Sequence, residues 1–515
     1  MSINLNLKAI TLENFRGFSE EVEIPLSKLN FLFGSNSSGK SSVILALQYL
    51  SHIFKTGDPD PYYLNFGGQF KEIGGFKQLI HKKNPHTQMG IGVKYGSWYI
   101  KFFIGYDFHN NSGIIQKITH YRDGELFYSV EHNGHLTIHT ELIPFEEGLL
   151  EEVELHESGF DTDFPLQLNQ CTEEWFYYLT YMFFNEKKSL KGFFHFSDPD
   201  LDERKGLLHI MFNNTLKKYW PEIPWFEDEE ENADAFQFFM DDLHSANTEP
   251  QKLISEYLDT ILHIGPLRNI PDRRSLQEER ELSWYDGSYA WNVAARANDE
   301  EIRSLNKWLK SESHFNTGYS LVREVIREIP EDSELLTRIK LGTLDELTND
   351  ANELIEKFPL SLRVFLRDET LRTNVFPSEI GVGISQLLPV IVACVLPQKD
   401  CICIEQPELH LHPACQVVLG DLFLSRLEAK SGQTSLVETH SEHLILRVLR
   451  RIREANERES SEEDQVPVKP EDVSVVYFYK EDEKIKVKAL EIDEEGEFKQ
   501  DWPQGFFEER AEELF

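Results

Sequence analysis

Gly34-Ser35-Asn36-Ser37-Ser38-Gly39-Lys40-Ser41 narrows the possible folds of this chain more than any other stretch. An apolar run, Leu29 to Phe33, leads into it and a helix-like run, Val43 to Leu50, follows. The pattern GxxxxGKS between a strand and a helix is a phosphate-binding loop in its structural context. The strand delivers the backbone to a tight turn, and the helix that follows points its free N–H groups and positive dipole end at a phosphate. Gly34 and Gly39 permit torsions that a Cβ would block. Lys40 is expected to reach the β- and γ-phosphates of a nucleotide, and the Ser41 hydroxyl is placed to ligate Mg²⁺. Asn36, Ser37, Ser38 and Ser42 complete the expected cradle. The competing interpretation is a Gly- and Ser-rich surface loop, which the flanking strand and helix argue against.

A chain of 515 residues has room for two or three lobes. No N-terminal basic-then-apolar segment resembles a signal peptide. The longest apolar run, Leu387 to Leu396, is interrupted by Pro389 and is too short to span a bilayer. The expectation is a cytoplasmic protein with no membrane partner. Five cysteines, Cys171, Cys394, Cys401, Cys403 and Cys415, lie mostly among apolar neighbours and suggest reduced core thiols. The formal charge of −37 repels phosphate backbones, so nucleic acid is expected only at a local site or through a partner. Arg447, Arg450, Arg451 and Arg453 form such a local cluster, although a run of this kind on a helix is commonly a solvated face.

Leu5 to Leu12 alternates like a half-buried strand, ends in Asn14-Phe15-Arg16-Gly17-Phe18, and has a partner in Val22 to Leu26. Strand-like stretches from Met89 to Tyr106 and Ile114 to Ile143 suggest a β-rich subdomain. From about Thr172 to Glu312 the pattern is helical and aromatic, broken by the acidic run Glu227 to Glu231 and by Ile264-Gly-Pro-Leu-Arg268. Phe238, Phe239 and Met240 fit an apolar core better than a ligand box. Buried strands are expected at Cys401 to Ile404 and Thr434 to Val437, a polar linker at Glu454 to Pro470, and two further strands at Val473 to Tyr479 and Ile485 to Ile492. The expected division is residues 1–110 and 371–453 as two parts of one head, 111–370 as a β-rich then helical insertion, and 454–515 as a linker and small appendage.

A phosphate loop needs an acid at the end of a neighbouring buried strand, to hold the metal's water shell and polarise an attacking water. Cys401-Ile-Cys-Ile-Glu405-Gln406-Pro407-Glu408 meets that need, with Glu405 at the strand exit. About thirty residues on, Leu436-Val-Glu-Thr439-His440-Ser441 repeats the pattern and ends in a polar His. Cys401, Cys403, His410, His412 and Cys415 invite a zinc interpretation, but two thiols on one face of a buried strand and the lack of a CxxC pair argue against it. The acidic group Glu491, Asp493, Glu494 and Glu495 lacks the spaced strand-end acids of a metal-dependent nuclease and fits an acidic surface hairpin.

In this order, the phosphate loop, Gly381-Val-Gly-Ile-Ser385-Gln386, the acidic strand end and the strand-end His resemble the ATP-binding cassette (ABC) ATPases. The similarity is strongest to the branch containing the RecF, structural-maintenance-of-chromosomes (SMC) and OLD-like proteins. The N-terminal "NFRGF", the run from "GVGISQLLP" through "IEQPELHLHP" to "ETHSEHLILR", "IGPLR" and the terminal "WPQGFF" are similar to compact stand-alone ATPases of bacterial anti-phage loci. These motifs cover residues 1–50, 263–268 and 376–515.

The resemblance implies an α/β P-loop head that binds ATP and Mg²⁺. Lys40 would bind phosphates, Ser41 and Glu405 would serve the metal, and His440 would sense the γ-phosphate. Gly383, Ser385 and Gln386 would meet the ATP of a second subunit, which implies a homodimer or higher homo-oligomer. Arg16 either reaches the phosphates or forms a structural corner. Two positions depart from the family. Gln406 stands where a general-base Glu is usual, and it can orient a water but not take its proton. Glu408 is the candidate substitute. Gly383 replaces a Ser and so removes one hydroxyl. The implied function is a slow ATPase whose ATP-closed dimer controls a separate effector, a nuclease in anti-phage defence. The alternatives are a RecF-like DNA-repair ATPase that binds DNA directly, or a non-hydrolysing ATP-locked scaffold.

Overall fold

The computed structural model describes residues 7–132, 136–139, 250–271, 282–342, 350–358, 360–396, 399–428, 433–457 and 468–500. Cys171, the acidic run 227–231, the aromatic cluster 238–240, most of the expected linker and the closing 501–507 segment lie outside the described residues.

Two sheets enclose one helix. The first is antiparallel and contains β1 (Leu7–Glu13), β2 (Val22–Pro25), β6 (Met89–Tyr95), β7 (Trp98–Asp107), β8 (Ser112–Arg122), β9 (Glu125–His132) and β10 (Leu136–His139), in the order β10-β9-β8-β7-β6-β1-β2. The second contains β3 (Leu29–Gly34), β11 (Ile261–Ile264), β15 (Cys401–Glu405), β16 (Thr434–Glu438), β17 (Val473–Glu481) and β18 (Lys484–Leu490), in the order β11-β15-β16-β3-β17-β18. Its first five strands are parallel, and β18 closes the edge as the antiparallel arm of a hairpin. All six residues of β3 and all five of β16 are buried. Burial along the whole strand suits parallel strands covered on both faces.

The first helix, α1 (Lys40–Thr56), buries every residue from Val43 to Leu50 and lies in the core between the two sheets. On the far side of the parallel sheet pack α2 (Ser288–Arg296), α3 (Asp299–Lys310), α4 (Val382–Val395), α5 (Pro413–Ser425) and α6 (Glu442–Asn456). A capping box at Asn298 and Glu301 starts α3, and Pro413 occupies the first turn of α5. A hairpin of β4 (Tyr63–Phe66) and β5 (Gln69–Glu72) and a small sheet of β12 (Tyr319–Arg327), β13 (Leu360–Asp368) and β14 (Thr373–Val375) complete the described strands. Among the described residues no helix is long and apolar enough to cross a membrane.

The α/β head assembled from both ends of the chain is present, but its boundaries differ from those expected. The β7–β8 pairing runs from Trp98 to Asp107 against Arg122 to Ser112, so a division at 110/111 would cut one continuous sheet. Likewise β11, from the expected insertion, pairs with β15 inside the head. The C-terminal strands do not form an appendage, because β17 hydrogen-bonds β3 itself from Val473↔Leu29 to Phe478↔Gly34. Local pattern reveals strands, whereas the partner of each strand depends on pairing between distant residues. The acidic segment after β18 is a tight turn, with an Ile492↔Phe498 bridge and Asp493 accepting from the Glu497 N–H at 2.8 Å.

Candidate functional site

The parallel strands β15, β16 and β3 end side by side, and ligands of such sheets bind at the carboxyl ends of the strands. Gly34 leaves β3 at φ +141° and Gly39 enters α1 at φ +105°. A Cβ on Gly34 would strike the Phe478 carbonyl oxygen, and one on Gly39 would lie 2.9 Å from the Phe18 ring. Both glycines are therefore required by backbone torsion and by close approach. Phe18 also places the Asn14–Phe18 turn against the loop. Within that turn Arg16 has φ +50°, its N–H donates to Leu79 O, and its side chain is exposed.

Lys40 is nearly buried, and its Nζ donates to Gly34 O at 2.8 Å and Ser35 O at 2.9 Å. Burial lowers its pKa, against the pull of Glu438 and Glu408. Asn36 and Ser37 are exposed at the loop's tip, with Ser37 at φ +61°, while the Ser42 N–H donates to Gly39 O. Ser38 Oγ and His440 Nε2 are buried polar atoms with no hydrogen-bond partner among the described residues. His440 is also close enough to Lys40 for that charge to add to the effect of burial, which lowers its pKa. A Gly-built cradle, an ammonium and two unsatisfied polar atoms fit a phosphate chain.

The acids at the strand ends play different parts. Ser41 Oγ donates to Glu438 Oε2 at 2.7 Å. Glu405 instead receives His263 Nε2 on Oε1 at 2.8 Å, and that His is 1% exposed. The His263 ring is flanked by Phe66 and Tyr285, and Lys71 Nζ lies 3.2 Å from the Tyr285 ring centre. Burial, helped by Glu405 and Glu438, pushes the Tyr285 hydroxyl up to about 12. Burial lowers the His263 pKa more than Glu405 raises it.

Glu408 bridges to the neighbouring strand exit, with Oε2 accepting from Thr439 Oγ1 at 2.7 Å and Oε1 from the His440 N–H at 2.7 Å. Burial raises its pKa despite those bonds. In this arrangement Glu408 braces the His440 segment, and both its oxygens are engaged. Gln406 adopts φ +46° and its N–H donates to Glu438 O at 2.7 Å. Arg268 supports that turn through Nη2, 2.8 Å from Glu405 O and 3.4 Å from Gln406 O. Among the described residues no three His, Cys, Asp or Glu side chains are arranged to hold a metal by themselves.

The implied roles of Ser385 and Gln386 need correction. Both are buried. Ser385 Oγ donates to Pro377 O at 3.1 Å, and Gln386 exchanges hydrogen bonds with Arg268. The first turn of α4 packs its polar groups inward; Gly381 and Val382 are exposed, and Gly383 is half-buried. A Cβ at Gly383 would lie 2.9 Å from His410 O, which gives a packing reason for Gly there. The arginine cluster is also engaged: Arg447 and Arg451 clamp Asp421, Arg450 pairs with Glu454, and Arg453 lies 3.8 Å from Glu497. Sequence reasoning missed Glu438, His263, Tyr285 and Lys71. Glu438 had a usable signal, since it ends the second apolar strand as Glu405 ends the first.

The family described as "AAA ATPase domain" matches residues 6–445, and one described as a protein of unknown function matches 468–515. A stretch of 78 residues is 36% identical to the "DNA replication and repair protein RecF" of Idiomarina loihiensis, covering 15% of this chain and 18% of the relative. Similar solved structures include the SMC head domain from Thermotoga maritima, at 9% identity and TM-score 0.33, covering 95% of this chain and all of that one. Another is the Smc head domain with an extended coiled coil bound to the C-terminal domain of ScpA derived from Pyrococcus furiosus. It has 11% identity and TM-score 0.34, covering 95% of this chain and 96% of that one. With a family match spanning most of its length and a phosphate loop built as described, the chain belongs to the AAA ATPase domain family.

Proposed function

We propose that the protein binds ATP with Mg²⁺, hydrolyses it slowly, and uses an ATP-dependent homodimer as a switch for a separate effector, a nuclease of an anti-phage system. The carrying observation is the loop around Lys40, where Ser38 Oγ and His440 Nε2 lack hydrogen-bond partners among the described residues. Lys40 exchanges its two carbonyl bonds for phosphate oxygens, and His440 Nε2 meets the terminal phosphate. Bound Mg²⁺ supplies neutralisation of charge on the β- and γ-phosphate oxygens. Ser41 offers it a hydroxyl. Gln406 orients a water without accepting its proton, and loss of one general base typically slows turnover ~10²- to 10⁴-fold.

Closure onto a second copy falls to the exposed Gly381 and Val382 at the start of α4. The nuclease effector and the anti-phage setting rest on the motif resemblance. Direct DNA binding is the weaker reading, because the arginine cluster is neutralised by Asp421, Glu454 and Glu497 and the whole chain carries −37.

The test is mass by light scattering with and without ATP·Mg²⁺, on the wild type and Lys40→Ala, alongside phosphate release. An ATP-driven rise in mass of the wild type alone, with slow release, is expected. Mass and phosphate both indifferent to ATP would refute the switch.

A further inference from the structure

Two carboxylates stand level at the strand ends, since Glu405 and Glu438 are register partners on parallel neighbours. Side chains at one level of adjacent parallel strands share a face and lie about 4.8 Å apart across the ladder. Family resemblance gives the metal role to the first of them. The structure separates them in the opposite sense. β16 lies next to β3, whereas β15 is one strand further away and has β11 on its other side. Glu438 accepts the Ser41 hydroxyl at 2.7 Å, while Glu405 is turned to His263 at 2.8 Å.

We propose that Glu438 is the metal-positioning acid of this site, and that Glu405 paired with His263 is a fixed strut behind it. This rests on the ATP-binding reading above. A hydroxyl has one proton and two lone pairs. By accepting the hydrogen bond from the Ser41 hydroxyl, Glu438 leaves both lone pairs of the hydroxyl oxygen for a cation bound beside the phosphates and fixes their direction. Partners of this kind, which orient a ligand without being required as ligands, set much of a site's metal affinity. Glu438 is 5% exposed, so a hydrogen bond there meets little competition from water. Its backbone carbonyl also accepts the Gln406 N–H at 2.7 Å, tying the same residue to the water-orienting side of the site. Glu405 holds a buried imidazole on Oε1, and His263 Nδ1 has no other hydrogen-bond partner among the described residues, so releasing that bond would leave the ring unsatisfied and only Oε2 is left to face the site.

The experiment is calorimetric titration of ATP into the full chain, in Mg²⁺ and in EDTA, for the wild type, Glu438→Gln and Glu405→Gln. The ratio of the two affinities is the metal linkage. Glu438→Gln is expected to lower that linkage ~10- to 100-fold, with affinity in EDTA retained, and Glu405→Gln to preserve it. Ser41→Ala should give the same loss, and adding it to Glu438→Gln should cost nothing more. If Glu438→Gln does not fold by thermal melting, Glu438→Asp, which withdraws the carboxylate by one methylene, should show a partial loss. Linkage lost in Glu405→Gln and kept in the Glu438 variants overturns the assignment while leaving ATP binding intact. A wild type that binds no ATP in either buffer overturns both.

Discussion

Arg268 and Gln386 hold each other from both ends. The Arg268 N–H donates to Gln386 Oε1 at 3.0 Å, Gln386 Nε2 returns to Arg268 O at 2.5 Å, and Arg268 Nη1 reaches Gln386 O at 3.3 Å. The same guanidinium supports the carbonyls of Glu405 and Gln406, so one buried residue joins the first turn of α4 to the exit of β15. Burial lowers its pKa to about 10, which leaves it charged at neutral pH. Arg268→Ala is expected to cost about 2–3 kcal/mol of stability through unsatisfied buried groups. It should also uncouple ATP binding from the change in mass. Denaturant melts together with light scattering check this, and a variant that still assembles with ATP like the wild type would refute the coupling.

Gly34→Ala tests the cradle. The added Cβ meets the Phe478 carbonyl oxygen and lies 2.8 Å from Ser38 Oγ, at a torsion that L side chains rarely adopt. The change is expected to destabilise the fold by about 1–3 kcal/mol and to remove ATP binding. Circular-dichroism melting and calorimetry report the two effects separately.

Gln406→Glu restores the usual base at the turn. Steady-state phosphate release is expected to rise by ~10² or more if the proton acceptor is the missing element. Unchanged release would place this protein with ATP-locked scaffolds. Because Glu408 already spends both oxygens on Thr439 and His440, Glu408→Gln is expected to act by loosening the His440 segment and weakening ATP affinity.

Asp421 gives a pH prediction. Burial acts to raise its pKa, but Arg447 and Arg451 outweigh that and hold it below the ordinary Asp value. A carboxylate depressed in the folded state contributes stability above its unfolded pKa of about 3.9, and loses it as pH falls through the folded value. Acid unfolding of Asp421→Asn is therefore expected to show a weaker dependence on pH below about 4 than the wild type, with lower stability at pH 7. Equal pH slopes in the two proteins would exclude the clamp as a contributor.

The nucleotide loop was legible in the sequence because its signal is local. Gly34, Gly39, Lys40 and Ser41 are set by torsion and chemistry within a few residues, between a strand and a helix whose periodicities are plain. The buried strands ending at Glu405 and near His440 were legible for the same reason. Tertiary structure alone decided which strand lies beside which. It placed β16 rather than β15 against β3, inserted β17 into the head, and joined β11 to β15, pairing Ile261 with Cys401 and Ile264 with Ile404 from distant parts of the chain. Those adjacencies turned Glu438 toward Ser41, gave Glu405 to His263, and drew Ser385 and Gln386 inward. Strand pairing is made by backbone groups that every residue carries, so it leaves little mark in side-chain pattern, and the role of each strand-end acid follows from its neighbour.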